Sequence, residues 1–369
     1  MRFMGEVLSA RALGRATLAR QLLLERAEVG VAEAVARIGG LQAQTPHSWY
    51  FALWSRVSGF DPQDAAGLLE KRELVRVALM RGTIHLVTAD DCLAWRPLHD
   101  DFIFRVTRSA FGRHWKNVDL DAVAEAGREL LEAGALTFAD LGRELHARFP
   151  DGTPQALSQL VRARLPLVQV PPRGLWGRSG PVAHTTAEHW LGSPLASEPS
   201  LEDFIARYLA AFGPATAKDV QAHCGLTRLR EVLDRMGLRT FRTEDGQTLY
   251  DLPDAPRPPE DVPAPVRFLP DFDNLFISFA DRSRTGVLDP AQTARAWPPH
   301  GHIPGTVLVD GTVGATWSPS RARGTAGLTI TPFSPLPAHA RDAIADEAAS
   351  LLRLLAPGDT HDLVFTDPW

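Results

Sequence analysis

The stretch FGPATAKDVQAHCGLTRLREVLDRMG, residues 212–237, decides how this chain folds. Thr216 stands where it can cap one helix, Gly225 where the chain must turn, and Thr227 where it can cap a second helix. Val220, Leu226, Leu229, Val232 and Leu233 supply the apolar wedge between the two helices. A strand over 238–243, the turn Glu244-Asp245-Gly246 and a strand over 248–252 add a hairpin wing. Arg228, Arg230 and Arg235 lie on the second helix, either as a base-reading surface or as a solvated face.

The same order of elements recurs upstream. Ser9 can cap an apolar-striped helix through Leu24, a second helix covers 31–38, and the aromatic HSWYFALWSRV makes a third, with Pro46 suited to the first helical position and Thr45 to the cap. Asp61-Pro62 opens a short helix ending near Lys71, and strands at 74–79 and 83–87 flank Met80-Arg81-Gly82. Thr88 and Asp91 have capping-box spacing and start one long helix through Phe104. Helices opening at Thr137 and at Thr153-Pro154, then a strand at 167–170, form the second unit.

The expected class is therefore α+β, with three tandem winged helix-turn-helix units over 1–116, 117–195 and 196–253. The remainder, 254–369, opens with the proline-rich linker DAPRPPEDVPAP. Short strands at 266–279, 305–310, 313–317 and 328–331 then suggest a small β-barrel, closed by an amphipathic helix over 337–355.

Composition narrows the function. With 369 residues, 44% of them hydrophobic, the chain can bury several cores, and no apolar run reaches the roughly 18 residues of a membrane span. The N-terminal MRFMGEVLSARALGR lacks the order of a signal peptide, so a cytoplasmic protein with no membrane partner is expected. Cys92 and Cys224 are isolated, which predicts no disulfide and no metal site. GxGxxG and GxxxxGK[ST] loops are absent, so no nucleotide cofactor is expected. The net charge is −5, yet Lys71, Lys116 and Lys218 are the only lysines, so one arginine-rich face remains compatible with nucleic acid.

Leu41-Gln42-Ala43-Gln44-Thr45-Pro46 pairs functional groups most sharply. Gly39-Gly40 ends the preceding helix and Pro46 drives the residue before it extended, so Gln42 and Gln44 project to one side as an uncharged fork. They can serve chemistry, or simply cap and bridge backbone groups. Asp271, Asp273 and Asp281 make a poor metal set and read as loop-bonding acids, with Arg282 and Arg284 as their partners or as DNA-binding residues. His85 reads as a structural histidine, and His184 and His189 have no acid partner at readable spacing. The hairpin over 307–317 turns at Asp310-Gly311, with Thr312, Val313 and Gly314 beside it, and Arg321 and Arg323 follow in a loop suited to phosphate.

Four separated motifs in fixed order, LQAQTP, LMRGTIHLVTADD, LPDFDNLFISFADRSR and VLVDGTVGATW, make nearly the whole chain resemble the AlkZ-type bacterial DNA glycosylases. The resemblance implies three winged helices around a barrel, lining a channel for DNA; a channel built within one chain requires no partner subunit, so a monomer without a cofactor is expected. It implies monofunctional removal of N7-alkylguanine from double-stranded DNA, nucleoid-associated when bound, with Gln42, Ala43 and Gln44 in the place of the family's catalytic Gln, apolar, Gln element. A related branch carries an acid at the second polar position. Gln44 places this chain nearer the antibiotic self-resistance branch, whose substrates include bulky and interstrand-crosslink adducts. It also points to Thr312, Val313 and Gly314 as a groove-probing hairpin. The rival expectation is a non-catalytic winged-helix regulator or drug-sequestering protein.

Overall fold

The computed structural model describes residues 6–296 and 303–369, so the first five residues of the N-terminal stretch lie outside it. In the third unit, Thr216 Oγ1 accepts from the Asp219 amide while the Asp219 carboxylate accepts from the Thr216 amide, and this capping box starts the helix Ala217–Cys224. Gly225 ends it in the left-handed region, at φ 79°. The second helix, Arg230–Arg235, starts later than its sequence suggests, and Thr227 does not cap it. Arg228 adopts φ 61°, which carries Thr227 away from the helix end, and the Leu229 amide donates to Gln221 Oε1 instead. The hairpin Arg239–Thr243 with Thr248–Asp251 follows as expected.

Two long-range pairings attach the N-terminus to this unit. The strand Val7–Leu8 runs parallel to Arg239–Thr243. From the helix Ala10–Arg20, Arg20 donates to both oxygens of Asp251 at 2.7 and 2.9 Å, with both side chains wholly buried.

The hairpins of the first two units merge into one six-stranded sheet, in the order Leu41–Gln42, Ile84–Thr88, Leu74–Ala78, Leu167–Gln169, Ala183–Thr186, Leu136–Thr137. Every residue of Leu74–Ala78 is buried, so its outer edge needs a partner, and Leu167–Gln169 supplies it with Val77 opposite Val168. The division at 116/117 therefore separates strands of one sheet. The single long helix expected after Thr88 is broken into Ala89–Trp95, a 3₁₀ turn Arg96–His99 and Asp100–Phe111, because Pro97 cannot continue the hydrogen-bond ladder.

The C-terminal region corrects the expected barrel. It is an open five-stranded sheet in the order Arg267–Leu269, Gly305–Val309, Thr312–Ala322, Thr325–Pro332, Thr360–Phe365. The last strand pairs in parallel with Thr325–Pro332, which requires a crossover, and the helix Ala338–Leu355 provides it. Ile344, Ala348, Leu351 and Leu352 pack on Phe268, Val307, Leu328 and Ile330, so a helix covers the face around which strands would have closed. Among the described residues, no helix is long and apolar enough to cross a membrane.

Candidate active site

Gly39 and Gly40, at φ 76° and 79°, turn the chain out of the helix Val31–Arg37. A Cβ on Gly40 would meet Val87 Cγ1 at 2.7 Å, so the close approach of strand to sheet requires glycine there. Leu41 and Gln42 then pair with Leu86 and His85, and the Ala43 amide donates to the Ile84 carbonyl at 2.7 Å. Ala43 is fully buried, and Arg76 donates to its carbonyl. Gln42 ends the strand and Gln44 lies in the bend that follows it, on either side of the buried Ala43.

Both carboxamides meet the segment 81–84. Gln42 Oε1 accepts from Arg81 Nη2 at 3.3 Å and from Thr83 Oγ1 at 3.2 Å, and Gln44 Oε1 accepts from the Ile84 amide at 3.2 Å. A guanidinium and a backbone N–H can only donate, so the sense of both amides is determined and both NH₂ groups point away from the segment. Neither Nε2 has a partner among the described residues. Gln42 is half-buried and Gln44 exposed.

The other flank is held by the LPDFDN motif. Asn274 donates to the Gly40 carbonyl at 2.5 Å and accepts from the Gln42 amide at 3.4 Å, clasping the short strand from both ends. Asp271 accepts from Thr45 and from Ser48. That recruitment removes Thr45 from capping, and the aromatic helix begins at Ser48–Trp54 with His47 before it. Asp273 is bound by Arg56 through two bonds of 2.8 and 2.9 Å, both side chains fully buried. Neither carboxylate is hydrogen-bonded to the side chain of Gln42 or Gln44.

Arg81 is the residue that sequence reasoning missed. It holds φ 57°, donates to His85 Nε2 and His223 Nδ1 at 3.1 Å each, and has no carboxylate partner among the described residues. Burial lowers its pKa to about 10. Burial, and then the Arg81 charge, push His85 and His223 well below the ordinary histidine value, so both are neutral acceptors. Only the position of Arg81 at a strand-to-strand turn hinted at it.

The remaining expected residues are spread more widely. Arg282 is exposed, and its charge contributes to lowering Arg81. Arg284 is mostly buried, 2.7 Å from Asp219 and stacked over Phe279. Asp310 and Gly311 form the expected turn, both at positive φ, but Arg11 and Arg15 bind Asp310 and hold the tip against the N-terminal helix. Thr312 is exposed and bonds the Val309 carbonyl, Val313 is buried and Gly314 half-buried. Arg321 pairs with Asp359 at 2.6 Å while two-thirds exposed. Arg323 sits at φ 50° at the exposed tip of the next hairpin. His184 is buried against Phe138.

The family model described as "DNA glycosylase AlkZ-like" matches residues 35–354, which include the two carboxamides, the Arg81 turn and the LPDFDN clasp. The chain belongs to the AlkZ-like DNA glycosylase family. No curated protein matches its sequence. Among solved structures it is similar to Streptomyces sahachiroi DNA glycosylase AlkZ, at 21% identity over 98% of this chain and 100% of that one, with a TM-score of 0.74. That likeness bears on the fold alone. As an AlkZ-like DNA glycosylase, the chain acts on the bond between a DNA base and its sugar.

Proposed function

We propose that this AlkZ-like glycosylase is monofunctional and hydrolyses the N-glycosidic bond of N7-alkylguanine in double-stranded DNA, including bulky and interstrand-crosslink adducts of natural-product genotoxins. The observation that carries the reading is a pair of oriented neutral amides whose side chains, among the described residues, hydrogen-bond no carboxylate and no imidazole. Alkylation at N7 makes the guanine cationic, so N9 takes the bonding electrons and the base departs neutral without being protonated. Water adds to the oxocarbenium-like C1′ and loses its proton to solvent. What remains for the protein is positioning and electrostatics.

Gln42 Oε1 receives Arg81 and lies within reach of the Thr83 hydroxyl, whereas Gln44 Oε1 receives one donor and keeps a lone pair. A water can therefore donate to Gln44 Oε1 and accept from Gln42 Nε2, leaving its second lone pair for C1′. An amide is too weak a base to activate attack on an ordinary nucleoside, which spares unmodified DNA. The three helix-and-hairpin units serve as winged helices that cradle the duplex, within a monomer. A crosslinked base cannot swing out of the stack, so the reaction occurs in a groove. Of the DNA-binding set, Arg282, Arg321, Arg323 and Thr312 present exposed surface, while Arg284 is mostly buried beside Asp219 and Val313 and Gly314 lie within the strand that follows the hairpin turn.

Incubation with a duplex containing N7-methylguanine should release free base from the wild-type protein, without strand cleavage and without added metal. Binding without release, with preference for one operator, would assign a regulator or sequestering protein instead. A panel extending to azinomycin-type adducts then ranks the substrates.

A further inference from the structure

Building on the glycosylase reading, we propose that Arg81 is a positioning residue that sets which way the Gln42 amide faces, and that the third unit holds Arg81 in place through His223. The turn Met80–Gly82 carries Arg81 at φ 57° and Gly82 at φ 70°, which folds the arginine side chain back over its own hairpin. From there Nη2 reaches Gln42 Oε1 and His85 Nε2, and Nη1 reaches His223 Nδ1 and the His223 carbonyl at 3.1 and 3.3 Å.

The amide has two competing orientations, and Thr83 cannot choose between them. Its hydroxyl lies 3.2 Å from Gln42 Oε1 and 3.2 Å from the Met80 carbonyl, and it has a single proton. If that proton goes to Met80, Thr83 Oγ1 can accept from a flipped Gln42 NH₂ just as well. Arg81 has no acceptor to offer, so it alone makes the flipped state unfavourable. The histidines complete the device. His85 Nδ1 lies 3.0 Å from the Thr83 carbonyl and so carries the proton, which leaves Nε2 to accept from Arg81. A carboxylate in their place would also neutralise the guanidinium, but it would add a base beside Gln42. Neutral rings fix the cation without one.

His223 belongs to the helix Ala217–Cys224, some 140 residues from Arg81, so the seating of the third unit against the first decides where the guanidinium lies. DNA that shifts the third unit would thereby reach the Gln42 amide.

The test is a double-mutant cycle read by single-turnover release of N7-methylguanine, with duplex affinity measured alongside. Arg81→Met should slow release about a hundredfold, the scale of a misplaced catalytic group, with affinity changed by less than about twofold. Arg81→Lys, still a pure donor, should recover part of the rate. In a Gln42→Ala background Arg81→Met should cost nothing further. An equal loss in that background, or a weakened affinity with a lower salt slope, overturns the inference in favour of a structural or phosphate-binding arginine. The ¹⁵N-labelled Gln42 side-chain amide gives a readout without substrate. Its proton shifts should collapse toward those of an exposed glutamine in Arg81→Met, and unchanged shifts overturn the inference. Wild-type protein that releases no base would instead defeat the glycosylase reading, with the amide shifts still deciding the role of Arg81.

Discussion

The two flanks of residues 40–45 solve the same problem in opposite ways. On the LPDFDN side, Arg56 is met by the Asp273 carboxylate in a fully buried pair, and Asp271 takes two hydroxyls. On the 81–84 side, Arg81 meets an amide, two neutral imidazoles and a carbonyl, with no carboxylate among the described residues. Ionic pairing provides stiffness where only the backbone must be held. Where two carboxamides must keep their donors free, the cation is dispersed over neutral acceptors, and nothing in reach can act as a strong base.

The sharpest break of this contrast removes the functional flank. The double change Gln42→Ala with Gln44→Ala should lower single-turnover release of N7-methylguanine by about 10³-fold with duplex affinity preserved, the scale expected when preorganised donors are lost. Retained release would end the assignment. Removing the ionic partner on the other flank should register as stability instead: Asp273→Ala strands the buried Arg56 charge and should cost about 3–5 kcal/mol in urea unfolding. A loss of release at unchanged stability would reverse the roles assigned to the two sides.

Acidification probes the neutral rings. Burial lowers His99 and His184 to about 4, and His85 and His223 well below the ordinary value. These folded-state values are depressed, so the unfolded chain binds more protons as pH falls below about 6.5, and His99 and His184 should each take away about 1.4 kcal/mol of stability per pH unit down to about pH 4, with His85 and His223 adding in the same direction. Urea midpoints between neutrality and that pH measure it. The rate of release from folded protein should stay flat over about pH 6–8, since neither glutamine titrates. The smallest expected effect lies at an exposed hairpin tip of the C-terminal sheet: Arg323→Ala should reduce the slope of log affinity against log salt by about one unit, and an unchanged slope would return Arg323 to ordinary surface.

Local rules carried much of the fold because they act within one turn of chain. Thr88, Thr137, Thr153 and Thr216 all cap the helices that follow them, and Gly225 and the Asp310-Gly311 turn take positive φ as their residues demand. Misplaced boundaries arose where a distant group claimed a local one, as Asp271 did with Thr45 and Gln221 with the Leu229 amide. The barrel expectation failed for a related reason. The strand Thr360–Phe365 carries no strong apolar alternation, and its parallel pairing through a crossover helix leaves no periodic mark in the sequence.

The sequence by itself determined that the segment carrying Gln42 and Gln44 leaves the helix at Gly39-Gly40 and stays non-helical up to Pro46, because left-handed glycines and the constraint before a proline are local steric facts. It also determined the capped helices and the turn residues between hairpins. Only the tertiary structure decided what the two amides face. Arg81, Asn274 and His223 come from elements separated by up to 232 residues from Gln42, and hydrogen-bond partners at such separations follow from how the units pack. The direction of an amide depends on whether its neighbours donate or accept, and those neighbours are chosen by the fold.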